Sequence, residues 1–571
     1  MIAEFIREPR VAYFSMEIAL DAAIPTYSGG LGVLAGDTVR SAADLGLPLV
    51  AVTLVSRKGY FRQMLDPQGR QVESAATWEP ERSTRAVDAK VAIPMEGRSV
   101  WVGARLYVLQ SHLGGRQPVL LLDTDLAENA PEDRAITDVL YGGDERYRFK
   151  QEMVLGVGGV RILHALGFRI REYHMNEGHS ALLGVELLRL HAYPPEHAQP
   201  GEPRYDVPRV RELCVFTTHT PVEAGHDRFS YELVEQILVG SDPGEMFVDL
   251  DELKALAGHD ELNMTRLALN LSEYVNGVAV RHAEISRKMF PGYRVHAITN
   301  GVHPYTWTCE SFRALYDRYV PSWCHEPELL VRVDGSVPDE ALWAAHLQAK
   351  RNLTDQARGA GGVTLDPEGF IVGFARRMTA YKRPDLLFTD VERLAAIAAQ
   401  RTLQIVLAGK AHPHDEAGKR LIERLAAHAR QLAGRVKVVY LADYDMAMAL
   451  RLTAGVDLWL NTPLAPLEAS GTSGMKAAFN GVPQLSVLDG WWIEGCIEGV
   501  TGWAIGRTDG PEQDAPTLYD KLERVVLPLY YGDGCGNAGW LRVMKGAISK
   551  NASYFNSHRM MRRYATEAYL R

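Results

Sequence analysis

Short apolar runs alternating with helix-like stretches constrain this chain more than any other feature, and they fall into two series. Val11-Ala-Tyr-Phe-Ser, Leu49-Val-Ala-Val-Thr-Leu-Val, Val119-Leu-Leu-Leu-Asp, Leu213-Cys-Val-Phe-Thr and Val295-His-Ala-Ile-Thr form the first. Phe370-Ile-Val-Gly-Phe, Gln404-Ile-Val-Leu-Ala, Val436-Lys-Val-Val-Tyr and Val456-Asp-Leu-Trp-Leu form the second. A strand that is apolar throughout belongs in a parallel sheet with helices on both faces. Two series predict an α/β fold with two doubly wound, Rossmann-like domains, which suits a chain of 571 residues, too long for one core. The break is expected near Asn300, giving domains over 1–300 and 301–540 and a polar-amphipathic helical segment over 541–571. Ligands of such sheets bind beyond the carboxyl ends of the strands, so two facing sheets would place the site in the cleft between them.

Composition removes several function classes. A net charge of −9 argues against a nucleic-acid partner, which would require a basic face. No 18-residue apolar run is present, so no membrane partner is expected, and the amino end lacks the apolar core of a signal peptide. Cysteines at 214, 309, 324, 496 and 535 are odd in number and lack CxxC spacing. They suggest neither a disulfide framework nor a zinc site, and a reduced, cytoplasmic protein is expected.

The polar motifs sit where the apolar runs end. Glu468-Ala-Ser-Gly-Thr-Ser-Gly-Met-Lys476 passes from a loop of small residues into an apolar segment carrying one lysine. Small residues let backbone N–H groups approach an anion, and the start of a helix adds a favourable dipole. A desolvated lysine one turn further on would have a lowered pKa and could form a Schiff base, although on physics alone such a junction is more often ordinary packing. Thr26-Tyr-Ser-Gly-Gly-Leu-Gly32, before the helix-like stretch 33–45, reads as a tight turn or as a phosphate cradle. Gly373-Phe-Ala-Arg-Arg-Met-Thr-Ala-Tyr-Lys-Arg-Pro384 places Arg376, Arg377, Lys382 and Arg383 directly after an apolar strand. In an acidic protein that cluster favours an anion site over a solvated turn, with arginine as a fork and lysine as a point charge. His174-Met-Asn-Glu-Gly-His-Ser180, Phe216-Thr-Thr-His-Thr-Pro221 and Ile298-Thr-Asn-Gly-Val-His-Pro304 are polar bursts at strand ends. Their residues suit sugar hydroxyls or simple capping, and the histidines at 174 and 179 are spaced poorly for zinc.

Taken in their order along the chain, over roughly residues 11 to 500, these motifs resemble those of the α-glucan phosphorylases (glycogen, starch, maltodextrin), in particular the short bacterial type. The resemblance implies a GT-B-type glycosyltransferase fold and retaining phosphorolysis of terminal α-1,4-linked glucose from a glucan or maltodextrin to glucose 1-phosphate. It implies that Lys476 carries pyridoxal 5′-phosphate as a Schiff base, with Thr472, Ser473, Arg376, Tyr444 and Gly30 as further cofactor contacts. Arg377 and Lys382 would hold inorganic phosphate, and His219 the glucosyl unit being transferred. Asn176, Glu177, Asn300, Glu468, Ser470, Gly471, Gly29 and Leu31 would line the substrate site, and no metal is implied. Two departures stand out: Ser473-Gly474 replaces the Gly-Asn of the animal enzymes, and Asp445 replaces an arginine after Tyr444. The amino end leaves no room for a phosphorylation tail, nucleotide control is not expected, and a homo-oligomer is compatible with the sequence. The rival readings are a nucleotide-sugar glucan synthase, which shares the architecture and an Arg…Lys anion site, and a glycan-binding protein with a degenerate site.

Overall fold

The computed structural model describes residues 2–7, 10–194, 203–222, 225–238, 248–361, 363–506, 510–532 and 537–570. The first part of the chain supplies β1 (Val11–Phe14), β2 (Leu49–Leu54), the hairpin β3 (Arg62–Leu65) and β4 (Gln71–Ser74), β5 (Arg85–Met95), β6 (Arg98–Gln110) and β7 (Arg116–Asp123). It continues with β8 (Glu172–Asn176), β9 (Cys214–Thr217), the hairpin β10 (Arg228–Ser230) and β11 (Glu261–Asn263), β12 (Tyr274–Gly277) and β13 (His296–Ala297). Nine of these form one sheet in the order β13-β12-β9-β8-β1-β2-β7-β6-β5. Pairings from β13 to β7 are parallel. The last two, β7 with β6 and β6 with β5, are antiparallel.

That edge corrects the expectation of a purely parallel sheet. Along β5 most side chains are exposed or half-buried, and Arg85, Asp88 and Lys90 lie among them. An antiparallel edge can leave one face in water, so these strands lack the continuous apolar run that marks a parallel strand. By contrast β2, β14 (Phe370–Ala375) and β15 (Leu403–Ala408) are buried at every position.

The second sheet adds β16 (Lys437–Leu441), β17 (Leu458–Asn461), β18 (Gln484–Val487) and β19 (Gly502–Ile505). Its order is β16-β15-β14-β17-β18-β19, with all pairs parallel. Counted from β14, the chain winds outward to β16 on one side and then to β19 on the other. The parallel part of the first sheet follows the same rule from β1, out to β7 and then back through β8 to β13. Each sheet therefore has a switch point, β1/β8 in one and β14/β17 in the other, where the flanking loops diverge and leave a crevice. The fold is mixed α/β with largely parallel sheets.

Side chains alternate across the first sheet, as strand geometry demands. Ala12, Phe14, Val50 and Val52 enter one core, while Val11, Tyr13, Leu49 and Ala51 enter another on the opposite face. The carboxyl-terminal stretch is divided between the two sheets. Trp540 to Phe555 pack in the core around the second sheet, whereas Met560, Met561, Tyr564 and Ala568 complete the outer core of the first. Position 540 lies inside the Ala538–Gly546 helix. At the crossing Val302 bridges to Asn556, Ser41 and Ser557 share a 2.5 Å hydrogen bond, and Asp44 accepts from His303 (2.8 Å) and His558 (2.7 Å). Among the described residues no helix is long and apolar enough to cross a membrane, and Cys214, Cys309, Cys324 and Cys496 are free. Cys535 lies outside the described residues.

Candidate active site

The Gly30–Asp44 helix brings its amino end and its third turn to segments of the second sheet. At its start, Glu17 accepts hydrogen bonds from the N–H groups of Ser28 (2.5 Å) and Gly29 (3.2 Å) and from the Tyr141 hydroxyl (3.1 Å). Gly30 and Leu31 lie in the first helical turn, which has no side-chain cap. A methyl group on Gly29 would lie 3.8 Å from Nη2 of Arg377. Arg377 is exposed and, among the described residues, makes no hydrogen bond or ion pair with the protein. Glu17 is the protein carboxylate whose charge reaches Arg377, and a guanidinium left without a hydrogen bond beside the start of a helix suits a further anion placed between them.

Arg376, Arg377 and Lys382 leave β14 at the switch point, and Glu468 follows β17 across it. Glu468 is buried and accepts from Arg376 Nη2 (2.5 Å) and Lys382 Nζ (2.6 Å). Burial alone would raise the pKa of Glu468, but the two cations pull it down to about 2. Lys382 is lowered to about 8 by burial and by Arg376, with Glu468 opposing. Nε and Nη1 of Arg376 are buried and without partners. Asp489 accepts from the Glu468 N–H at 2.8 Å and is raised to about 6 by burial.

Lys476 lies in the short Ser473–Ala478 helix and is 6% exposed. Its amine stands 3.8 Å from the centre of the Trp307 ring and makes no hydrogen bond among the described residues. Trp307 Nε1 donates to Asp37 at 2.7 Å, so the first helix supplies the carboxylate behind the ring. Burial lowers Lys476 to about 8, and Asp37 offsets part of the shift. The lysine helix is moored by Asn480, which donates to the carbonyls of Lys476 (2.9 Å) and Trp307 (2.8 Å). A Cβ on Gly474 would lie 1.4 Å from Gln484 Oε1, so a side chain there would require Gln484 to move. Ser473 Oγ accepts from Trp459 Nε1 at 2.9 Å, beside Thr472 at the helix start. Gly471 (φ 72°) and Ser470 form the loop before it, and the Ser470 carbonyl accepts from the Trp491 N–H. Tyr444 lies within electrostatic reach of Arg376, and Asp445 caps the next helix through the Met448 N–H at 2.8 Å.

Lys476 carries a testable energetic signature. Its folded pKa of about 8 lies below the free lysine value of about 10.4, so the folded chain resists protonation there. The penalty is complete below pH 8 and disappears above the free value. Lys476→Met should therefore stabilise the ligand-free protein at pH 7 by up to about 3 kcal/mol, and much less near pH 10.5. Thermal unfolding at both pH values measures this, and a loss of stability at pH 7 would refute it.

The other wall is built from β8 and β9. Asn176 Oδ1 accepts from His219 Nε2 (2.7 Å), and its Nδ2 donates to Ser15 Oγ (3.1 Å) across the β1/β8 switch point. Glu177 has a positive φ of 77° and is saturated locally, accepting from the His219 N–H (2.7 Å), the Thr220 hydroxyl (3.0 Å) and the Gly178 N–H (3.1 Å). Burial lowers His219 to about 4, so its ring is neutral at pH 7. Asn300 keeps a buried Oδ1 without a partner.

Comparison with known proteins decides the family. Residues 245–500 match the family described as carbohydrate phosphorylase. The chain is 39% identical to the maltodextrin phosphorylase of Thermococcus litoralis over 98% of its own length and 70% of that protein. It is 36% identical to the glycogen phosphorylase of Aquifex aeolicus, covering 98% and 86%, and 37% identical to that of Mycobacterium tuberculosis, covering 98% and 70%. The chain belongs to the carbohydrate phosphorylase family.

As a carbohydrate phosphorylase it is an enzyme of the glycosyltransferase type. The structure gathers Arg376, Lys382 and Glu468 into one cluster and sets Arg377 against the Gly29–Leu31 turn; Asn176, Glu177 and His219 form a second cluster. His174 is held apart from these, between Tyr569 (2.7 Å) and Thr217 (2.8 Å). Asp37, Trp307 and Glu17 went unnoticed in the sequence, since each is an ordinary residue whose partner is distant or lies on another loop.

Proposed function

We propose that this phosphorylase cleaves terminal α-1,4-linked glucose from a glucan or maltodextrin with inorganic phosphate, giving glucose 1-phosphate with retained configuration. The observation that carries the proposal is the unpaired Arg377 facing the uncapped start of the Gly30–Asp44 helix, a place for a dianion at the carboxyl edge of both sheets. The relatives named maltodextrin and glycogen phosphorylase support the substrate class. We also propose the GT-B arrangement, with domains dividing near 300 and a carboxyl-terminal segment from about 541, and a cytoplasmic location. Phosphate and glucan are the partners expected, in a protein that a homo-oligomer would suit.

The residues present fit pyridoxal 5′-phosphate. Lys476 offers a buried, unpaired amine of lowered pKa, and Arg376 offers unpartnered N–H groups suited to a phosphate ester. Thr472, Ser473, Tyr444 and Gly30 would complete that site. When bound, the cofactor supplies a phosphate group able to exchange a proton with the substrate phosphate.

The chain's own residues then act on substrate. Arg377 and Lys382 hold inorganic phosphate, and its charge favours the protonated form of Lys382 further. His219 and Asn300 orient the terminal glucose, with Asn176 and Glu177 fixing His219 from behind. Glu468, held by Arg376 and Lys382, would accept a sugar hydroxyl, while Ser470, Gly471, Gly29 and Leu31 close around the ring. Substrate phosphate gives its proton to the glycosidic oxygen, the C1–O bond breaks, and a phosphate oxygen bonds to C1 from the same face. Because phosphate is both acid and nucleophile, no pair of protein carboxylates is needed.

The donor tests this reading. With maltodextrin and phosphate the protein should form glucose 1-phosphate, and with glucose 1-phosphate it should extend maltodextrin and release phosphate. Extension from ADP-glucose or UDP-glucose, with none from glucose 1-phosphate, would instead make it a synthase.

A second expectation concerns the sugar wall. His219→Ala and Asn300→Ala should each lower kcat/KM for maltodextrin with an effect approaching about 3 kcal/mol in the transition state, more than they lower thermal stability. Unchanged kinetics in both variants would leave these side chains a purely architectural part.

A further inference from the structure

The β3–β4 hairpin leaves the first sheet and lies against the strand ends of the second. Its side chains are mostly exposed, except for two glutamines, Gln63 at 2% and Gln71 at 7%. Buried amides are costly unless every group is paired, and these are. Gln63 Nε2 donates to the Gly409 carbonyl (2.9 Å) and to Gln71 Oε1 (2.8 Å), and Gln63 Oε1 accepts from the Asp443 N–H (3.0 Å). Gln71 Nε2 donates to the Ala411 carbonyl (2.9 Å), and Gln71 Oε1 accepts from the Ala411 N–H (3.0 Å). The two side chains thus act as a short substitute strand along residues 409–411, just past the end of β15.

The other edge of that segment holds the arginine loop. The Arg376 N–H donates to the Ala408 carbonyl (3.3 Å) and the Met378 N–H to the Lys410 carbonyl (3.0 Å). Carbonyls of an extended chain alternate, so 408 and 410 face the arginine loop while 409 and 411 face the hairpin. Contact is tight: a Cβ on Gly409 would lie 2.0 Å from the Arg376 carbonyl oxygen. Around the same joint, Lys410 pairs with Asp443 (2.6 Å) and donates to the Phe61 carbonyl (3.1 Å).

We propose that Gln63 and Gln71 are positioning residues for phosphate use: they pin residues 409–411 and so fix the Arg376–Met378 loop across the cleft. Neither touches phosphate, and both act through the backbone. The inference rests on the reading of Arg377, with Lys382, as the site of inorganic phosphate. It makes that site a joint product of two parts of the chain, because the hairpin is inserted between β2 and β5 of the first sheet and the arginines follow β14 of the second.

The test uses Gln63→Met and Gln71→Met in the full chain with its cofactor; methionine keeps the length and removes only the amide. KM for inorganic phosphate should rise about five- to tenfold, as expected for loss of buried hydrogen bonds, with kcat and the maltodextrin KM within about twofold. Hydrogen–deuterium exchange should quicken about tenfold in a peptide spanning residues 374–383 and stay unchanged in one spanning β1. If one variant fails to fold, the other decides. An unchanged phosphate KM together with unchanged exchange in a folded variant overturns the proposal. Arg377→Ala separates the two ideas. If it leaves the phosphate KM unaltered, the anion-site reading fails, and the exchange measurement still judges the hairpin by itself.

Discussion

Replacing Lys476 by alanine is expected to lower glucose 1-phosphate formation by about 10²- to 10⁴-fold, the range for loss of a positioned proton carrier, while the protein stays folded. The second half follows from geometry. The amine makes no hydrogen bond and rests on the Trp307 face, so removing it breaks no network and relieves an unpaired buried cation. The first half follows from the proposal that this amine tethers pyridoxal phosphate. Borohydride reduction of the wild-type protein should fix the cofactor on a peptide containing Lys476, and the variant should yield none. An adduct on another lysine, or full activity without Lys476, would remove the basis of the assignment.

Arg377→Ala should weaken phosphate use about ten- to a hundredfold in both directions of the reaction. Arg376 and Lys382 are already engaged by Glu468, whereas Arg377 has no hydrogen-bond or ion-pair partner to release among the described residues. Its loss therefore removes attraction for the ligand without exposing a stranded carboxylate. Arg377→Lys should recover little, because an ammonium keeps the charge and loses the two-pronged geometry. Initial rates with varied phosphate, and with varied glucose 1-phosphate in reverse, measure the effect. A change confined to one direction would contradict it, since the same dianion is substrate one way and product the other.

Both residues were legible because their signals are local. A loop of small residues before a lysine, and a burst of cations after an apolar strand, are visible within ten positions. The long buried strands were legible for the same reason. β12, β18 and β19 were harder to see, since each is four residues long and carries polar residues or glycine. β5 escaped because one side of it faces water. What the sequence hides is pairing at a distance. Nothing in Gly30–Asp44 announces that Asp37 will stand behind Trp307, and nothing in Gln63 or Gln71 announces two buried amides. Glutamine on a short hairpin is ordinary until the opposing backbone is known. The departure at Asp445 becomes intelligible in the same way, since the structure gives that carboxylate a helix to cap.

The crossing at Asn556 has a consequence measured in time. Asp44 and His558, joined by a 2.7 Å hydrogen bond, are 514 positions apart. Residues near Met560 and Tyr564 fill the outer face of the sheet that Val11 and Tyr13 begin. At about 5–20 residues per second, a ribosome needs roughly 26 to 103 seconds to cover that interval. Leu34, Ala35 and Val39 of the Gly30–Asp44 helix shield part of that outer face early, but the part that Met560, Met561, Tyr564 and Ala568 cover waits exposed to whatever else in the cell binds greasy surfaces. Slowing synthesis between the two should lower the yield of folded protein more than slowing it before Asp44.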